Sequence, residues 1–145
     1  MIDPRGPRVG AAATSLVLAT VLITGSGWLL AAQAAVFTLG AVLGPSASPY
    51  GVLYARLIRP RLSAPAHLED AAPPRFAQAV GLAFAGAGLI GFLAGWAVVA
   101  YLAVAAALAA AFLNAVFGFC LGCEVYLLYR RIVTTRTAIP TEVIS

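Results

Sequence analysis

Apolar residues fall in four long blocks, 9–24, 28–43, 76–93 and 97 to about 129, separated by short polar or glycine-rich breaks. A helix needs about 20 residues to cross a bilayer core of about 30 Å. The first two blocks are each slightly short, so flanking glycines and arginines complete them. Together they are too long for one span, and Gly25-Ser26-Gly27 is a breaker between them. The third and fourth blocks turn around Gly95, with Trp96 beside it. Trp28 and Trp96 thereby occupy corresponding corners, where an interfacial aromatic is favoured. The pattern predicts an all-α membrane protein: four transmembrane helices, 9–25, 28–44, 76–94 and 97–120, arranged as two tight hairpins in a single membrane domain, 1–145.

The segment between the two hairpins, 45–75, has its own organisation. Ser48-Pro49 is a helix start, with a capping side chain followed by proline at the first position. Tyr50, Leu53, Tyr54, Leu57 and Ile58 then recur at helical spacing, with Arg56 and Arg59 off their face. A short interfacial amphipathic helix on the inner leaflet is expected, stopped by Pro60. A proline-rich cytoplasmic loop leads on to the third span. Residues 132–145 lack apolar periodicity and are expected to form a mobile cytoplasmic tail.

Charge orients this arrangement. The chain has 145 residues, 62% hydrophobic and only 10% charged, whereas a soluble domain carries about 25% charge. All nine basic residues are arginines, and none lies in a predicted hairpin turn. Arg5 and Arg8 precede the first span, Arg56, Arg59, Arg61 and Arg75 lie in the central loop, and Arg130, Arg131 and Arg136 follow the fourth. Four crossings put all of them on one side, as the positive-inside rule requires. A multi-pass protein of the bacterial inner membrane with both termini cytoplasmic is expected. No basic cluster is interleaved with exposed aromatics, which excludes nucleic acid as partner. The first apolar block runs into a second without a cleavage site, so it reads as a retained helix and not a signal peptide.

Small residues supply candidate helix seams, since lipid does not press helices together. Ala11, Ser15 and Ala19 repeat every fourth residue, as do Ala77, Gly81 and Ala85, and Ala103, Ala107, Ala111 and Ala115. Packing within one chain is the preferred reading, with a homodimer face as the lesser one. Gln33 and Asn114, inside spans, are expected to hydrogen-bond between helices.

Chemistry concentrates in Phe117-Gly-Phe-Cys-Leu-Gly-Cys-Glu-Val-Tyr126. On an ideal helix Cys120, Cys123 and Glu124 share a face with Val116 and Leu127. Glu124 is the only acid in the apolar blocks, and an ionisable group at such depth is functional by default; a headgroup-level carboxylate is the rival. Two cysteines are too few and too close for a secreted disulfide framework. Three readings fit the pair: thiol–disulfide or persulfide exchange, half of a metal site completed by Glu124, His67 or a second subunit, and plain packing of small side chains. Exchange is the working expectation, with no cofactor beyond a disulfide or persulfide of the pair; the alternative is a non-enzymatic membrane subunit or scaffold, or a small transporter of a sulfur-containing solute. Exchange meets a difficulty, because on an unbroken helix both the C-terminal dipole and Glu124 disfavour a thiolate. The last block would measure about 50 Å as one helix, which favours a break at Gly118 or Gly122 with Cys123 opening a new short helix. His67, near Glu69 and Asp70, reads as solvated. No serine elbow, phosphate loop or dinucleotide fingerprint is present.

Several stretches carry a resemblance: Asp3-Pro-Arg-Gly-Pro-Arg8, Gly44-Pro45 with Ser48-Pro-Tyr-Gly51, Ile58-Arg-Pro-Arg61, Glu69-Asp-Ala-Ala-Pro-Pro-Arg-Phe-Ala-Gln78 and Asn114 through Glu124. In these the chain resembles the DUF4395 family of small bacterial membrane proteins, common in actinobacteria, which has no established activity. The resemblance implies a membrane protein in a sulfur or thiol-redox setting, with a thioredoxin-like or rhodanese-type cytoplasmic partner. The architecture is also similar to quinone-linked disulfide-forming membrane families, but here the pair is expected to face the cytoplasm and has no second pair beside it.

Overall fold

The computed structural model describes residues 2–144, with side chains described for residues 2–135. Among the described residues there are six α-helices and no strand, only a single bridge between Ile2 and Glu69. α1 spans Arg5–Thr24 and α2 Gly27–Leu43; α3 is a short helix, Pro49–Leu53; α4 spans Ala72–Ala94, α5 Ala97–Phe117 and α6 Leu121–Ile144. Three of them, α1, α4 and α5, are long and apolar enough to cross a membrane; α2 is equally apolar but has 17 residues.

The breaks fall where glycine permits a left-handed residue. Gly25 ends α1 at φ 67°, its N–H donating to Val21 O, and the Ser26 side chain then accepts from the Leu29 N–H to open α2. Gly95 ends α4 at φ 78°, with Trp96 N–H donating to Gly91 O and Gly95 N–H to Phe92 O. That bond pair is the Schellman cap, which satisfies carbonyls a helix end would leave open. Trp28 and Trp96 stand at these two corners, 89% and 59% exposed.

α1, α2, α4 and α5 form a bundle with antiparallel neighbours. Gly40, Gly81 and Gly88 of α4's neighbourhood mark the α2–α4 seam, where an added Cβ would meet Gln78, Phe37 and Leu30 respectively. Gly91 lies directly on Ala100 across the α4–α5 seam. The core is Leu18, Val21, Leu30, Ala34, Phe37, Ala85, Val104 and Ala107. On α1 the buried stripe is Ala11, Thr14, Leu18 and Val21, so the expected row of Ala11, Ser15 and Ala19 is only partly a seam. Ser15 and Ala19 instead line a shallow apolar groove beside Ala105 and Ala109 of α5. The 3.6-residue period moves a face along the 3–4–3 stripe faster than an every-fourth-residue row does.

The central segment folds back onto the bundle end. Ser48 caps α3 as expected, accepting from Gly51 N–H at 3.2 Å. The helix then widens to π spacing over Tyr54–Ile58 and tightens to a 3-10 turn over Arg59–Arg61, so Pro60 lies inside the last turn and does not precede its end. The predicted single apolar face is divided. Tyr54 is 4% exposed, while Leu53 and Leu57 are 50% and 54% exposed. The tyrosines turn inward because buried oxygens await their hydroxyls. Tyr50 Oη donates to Gln33 Oε1 at 2.7 Å, and Gln33 Nε2 donates to Thr14 Oγ1 at 3.4 Å. Tyr54 Oη donates to Asp3 Oδ2 at 2.8 Å, and Arg5 grips the same carboxylate at 2.9 Å. Gln33 is thus the interhelical link its position suggested, extended to a third element.

The Arg5 guanidinium holds the Asp3 carboxyl well below the usual carboxylate range, and burial pushes the Tyr54 hydroxyl up. A carboxylate depressed in the folded state stabilises it at pH values above its detached value of 3.8, and that contribution disappears as pH falls toward the folded value. Limited proteolysis of the loop 62–70 should therefore be constant from pH 8 to about pH 5 and accelerate below about pH 4. Asp3→Asn should raise cleavage at neutral pH and flatten this acid dependence. An unchanged acid profile in the variant would show that Asp3 does not hold the loop.

α6 starts at the same bundle end and continues through residues expected to form the tail from 132 onward. The part of that expectation falling on the side chains of 136–145 lies outside the described residues.

Candidate functional site

The fourth apolar block breaks at Gly118, the first of the two glycines expected to do so. Gly118 has φ 68°, and its N–H donates to Asn114 O at 3.0 Å, closing α5 at Phe117 three residues short of the predicted boundary at 120. Phe119 N–H reaches back to Leu113 O at 3.3 Å. The chain restarts as α6 at Leu121, so Cys120, and not Cys123, stands at the helix start. Cys120 O accepts the first helical bond from Glu124 N–H at 3.0 Å, and Cys120 Sγ accepts from Cys123 N–H at 3.1 Å. A side chain that accepts from the third residue of the helix is an N-cap. Sulfur here takes the place usually held by a serine or aspartate oxygen.

The sulfurs of Cys120 and Cys123 are bonded to each other, with their Cα atoms 5.1 Å apart. Both residues are half-buried. The dipole part of the difficulty raised by an unbroken helix is removed, because Cys120 stands at the N-terminal, positive end of α6; the Glu124 carboxylate stays in the first turn beside the pair.

Glu124 is not covered by the protein around it. It lies in the first turn of α6 and is exposed; among the described residues it has no ion pair and no bond to either sulfur. An acid in the first turn suits the α6 dipole. His67 pairs with Glu69 at 3.2 Å on the exposed loop, away from the cysteines. Among the described residues no group of three or more His, Cys, Asp or Glu lies together, so Cys120 and Cys123 have no third metal ligand beside them. Asn114 enters through its backbone carbonyl, as the cap acceptor for Gly118.

Three neighbours not foreseen from sequence fix the site. Gly122 packs on α4 so closely that an added Cβ would lie 2.7 Å from Ala77 Cα. One turn on, the Tyr126 ring meets Phe76 with centroids 5.6 Å apart. On the other side Arg8 of α1 donates through Nη2 to Ala115 O and Val116 O, both at 3.3 Å. Arg75 of α4 does the same for α2, donating to Ala41 O and Val42 O at 3.1 and 2.7 Å. Cations at the last carbonyls of a helix satisfy open acceptors and the negative end of its dipole. A cavity of about 180 Å³ lies beside Asp3, Tyr54 and Arg59, and no predicted site residue lines it.

Residues 2–131 match the family model DUF4395, described as a domain of unknown function. No curated protein and no solved structure matches the chain.

Proposed function

Starting from the fact that the chain belongs to the DUF4395 family, we propose that it is an integral membrane thiol–disulfide exchange protein acting through Cys120 and Cys123. The single observation that carries the reading is the position of Cys120, capping the start of α6 with its sulfur on the Cys123 N–H. Thiol exchange is carried out by the thiolate, and a helix N-terminus beside a second cysteine is where proteins stabilise one.

In this reading α1, α2, α4 and α5 are the four spans, forming two hairpins that turn at Gly25 and Gly95 in a bacterial cell membrane. α2, at roughly 26 Å of helix, spans with local thinning of the bilayer or help from its flanks. The starts of α1 and α4, the ends of α2 and α5, and the start of α6 would share one end of the bundle, a layout supported by the Arg8 and Arg75 bonds and by Gly122 against Ala77. Segments carrying the arginines lead to or from that end, which supports a cytoplasmic placement. The α3 region, with Leu53 and Leu57 outward, would lie on the inner leaflet. The cysteine pair then faces the cytoplasm at the membrane surface, in reach of a soluble thioredoxin-like or rhodanese-type partner.

The step balances without a cofactor. In the reduced protein the Cys120 thiolate attacks one sulfur of a partner disulfide, forming a mixed disulfide and releasing the partner's other sulfur as a thiolate. Cys123, losing its proton, then attacks Cys120 Sγ and frees the second partner sulfur. Two electrons and two protons pass to the partner, and this protein is left with the Cys120–Cys123 disulfide. The reverse sequence reduces it. A persulfide donor would instead leave one extra sulfur on Cys120.

Cys123→Ser should accumulate a reductant-sensitive covalent adduct in cells, because the resolving thiol is gone. Cys120→Ser and the double variant should not. Mass spectrometry of the adduct separates a protein mixed disulfide from a persulfide. Equal trapping by all three variants, or by none while the protein is present in the membrane, overturns the proposal.

A further inference from the structure

We infer that Arg8 is a positioning residue for the cysteine pair: it maintains the break between α5 and α6 that places Cys120 at a helix start. The inference rests on the thiol-exchange reading and identifies what holds that site in its active geometry.

The argument comes from counting acceptors. In an uninterrupted helix the N–H of Phe119 would bond the carbonyl of Ala115, and the N–H of Cys120 the carbonyl of Val116. At the break neither bond forms as such, since Phe119 N–H is diverted to Leu113 O. Of the carbonyls that the end of α5 leaves open, Ala115 O and Val116 O are the two that Arg8 takes, both through Nη2 at 3.3 Å. Arg8 thus replaces, from a different helix and from more than a hundred positions earlier in the chain, two of the donors that the break removes. Its guanidinium also lies over the turn, with Cζ 3.5 Å from where a Cβ on Gly118 would stand. Near the apolar region an unpaired carbonyl is costly. Without Arg8, the alternative that satisfies both carbonyls is extension of α5 through Gly118 and Cys120. In that form Cys120 is mid-helix, and the Cys123 N–H no longer points to its sulfur.

The other arginines of α1 and α4, and the acid of α6, do not substitute. Arg75 on α4 is committed to Ala41 O and Val42 O of α2. Arg5 on α1 is committed to Asp3 and to Ser63 O. Glu124 on α6 is exposed and of the wrong sign to donate to a carbonyl.

The test is the pH profile of Cys120 alkylation in the reduced full-length protein, in membranes, quantified on the Cys120 peptide. Arg8→Ala should move the profile to higher pH and slow alkylation at pH 7 by about tenfold, as loss of a helix N-terminus lowers the thiolate fraction. Arg8→Gln, which keeps donors without charge, should shift it in the same direction by less, and serves equally if the alanine variant folds poorly. Arg75→Ala, which removes a like cap at the same end but not at the break, should leave it in place. Superposition of the Arg8 variants on the wild type overturns the inference, as does an equal shift in Arg75→Ala. A wild-type profile matching that of a free cysteine would instead overturn the exchange reading itself.

Discussion

Replacing Gly118 by valine should leave the protein in the membrane but cost Cys120 most of its reactivity, at least about tenfold at neutral pH, by loss of the helix-start environment. Gly118 stands at φ 68°, where a residue with a side chain costs roughly 1–2 kcal/mol and a β-branched one more. The chain can relieve that strain by adopting right-handed helix at position 118, which joins α5 to α6. Cys120 would then lose both its cap position and the Cys123 N–H at 3.1 Å. Gly118→Asn is the control, because asparagine tolerates the left-handed region, and it should retain near-wild-type alkylation and disulfide formation. The measurement is the rate at which the pair oxidises after full reduction, together with Cys120 alkylation. A valine variant that reoxidises as fast as the wild type would show that the break does not govern the pair.

The second large effect is expected where two helices touch backbone to backbone. A Cβ on Gly91 would lie 2.8 Å from Ala100 N and 3.0 Å from its Cα. No side chain can rotate away from such a clash, so α4 and α5 must separate, and overpacking of this kind costs about 1–3 kcal/mol or more. Gly86 is in the same helix, but an added Cβ there meets nothing within 4 Å. Gly91→Leu should therefore lower the melting temperature in detergent by many degrees, while Gly86→Leu should change it little. Gly88 lies between these extremes, since its close neighbours include the movable ends of Leu30 and Val104. Equal melting of the Gly91 and Gly86 variants would mean that the α4–α5 contact is looser than 3 Å packing implies.

The long apolar helices were legible because they depend on local composition. Four apolar blocks, charge-free turns at Gly25 and Gly95 and the Ser48 cap all act within a few residues of themselves, and each appears where the pattern put it. Gln33 was likewise readable, because a buried amide in an apolar run must find a partner. Its particular partners, Thr14 and Tyr50, were not. The same holds for Tyr54, whose place with Tyr50, Leu53 and Leu57 on one helical face was plausible by periodicity. Only the buried Asp3 carboxylate, far away in sequence, explains why Tyr54 turns in and the leucines do not.

At the cysteines the division is sharper. The Cys-x-x-Cys spacing and a break near Gly118 could be read from the chain, since 97 to about 129 is too long for one span. Which cysteine heads the new helix could not, because two glycines offered themselves and local propensity does not choose between them. The choice is made across the bundle, by Arg8 at two of the freed carbonyls and by Ala77 against Gly122. Glu124 was readable as the only acid of the apolar blocks, but its exposed place in the first turn of α6 was not. What the amino acids alone determined is the apolar character of the long helices and the glycine breaks between them, because hydropathy and turn chemistry are decided residue by residue. What only the tertiary structure decided is the chemistry, because the acceptors left open at a helix end are closed by whichever distant donor the packing brings to them.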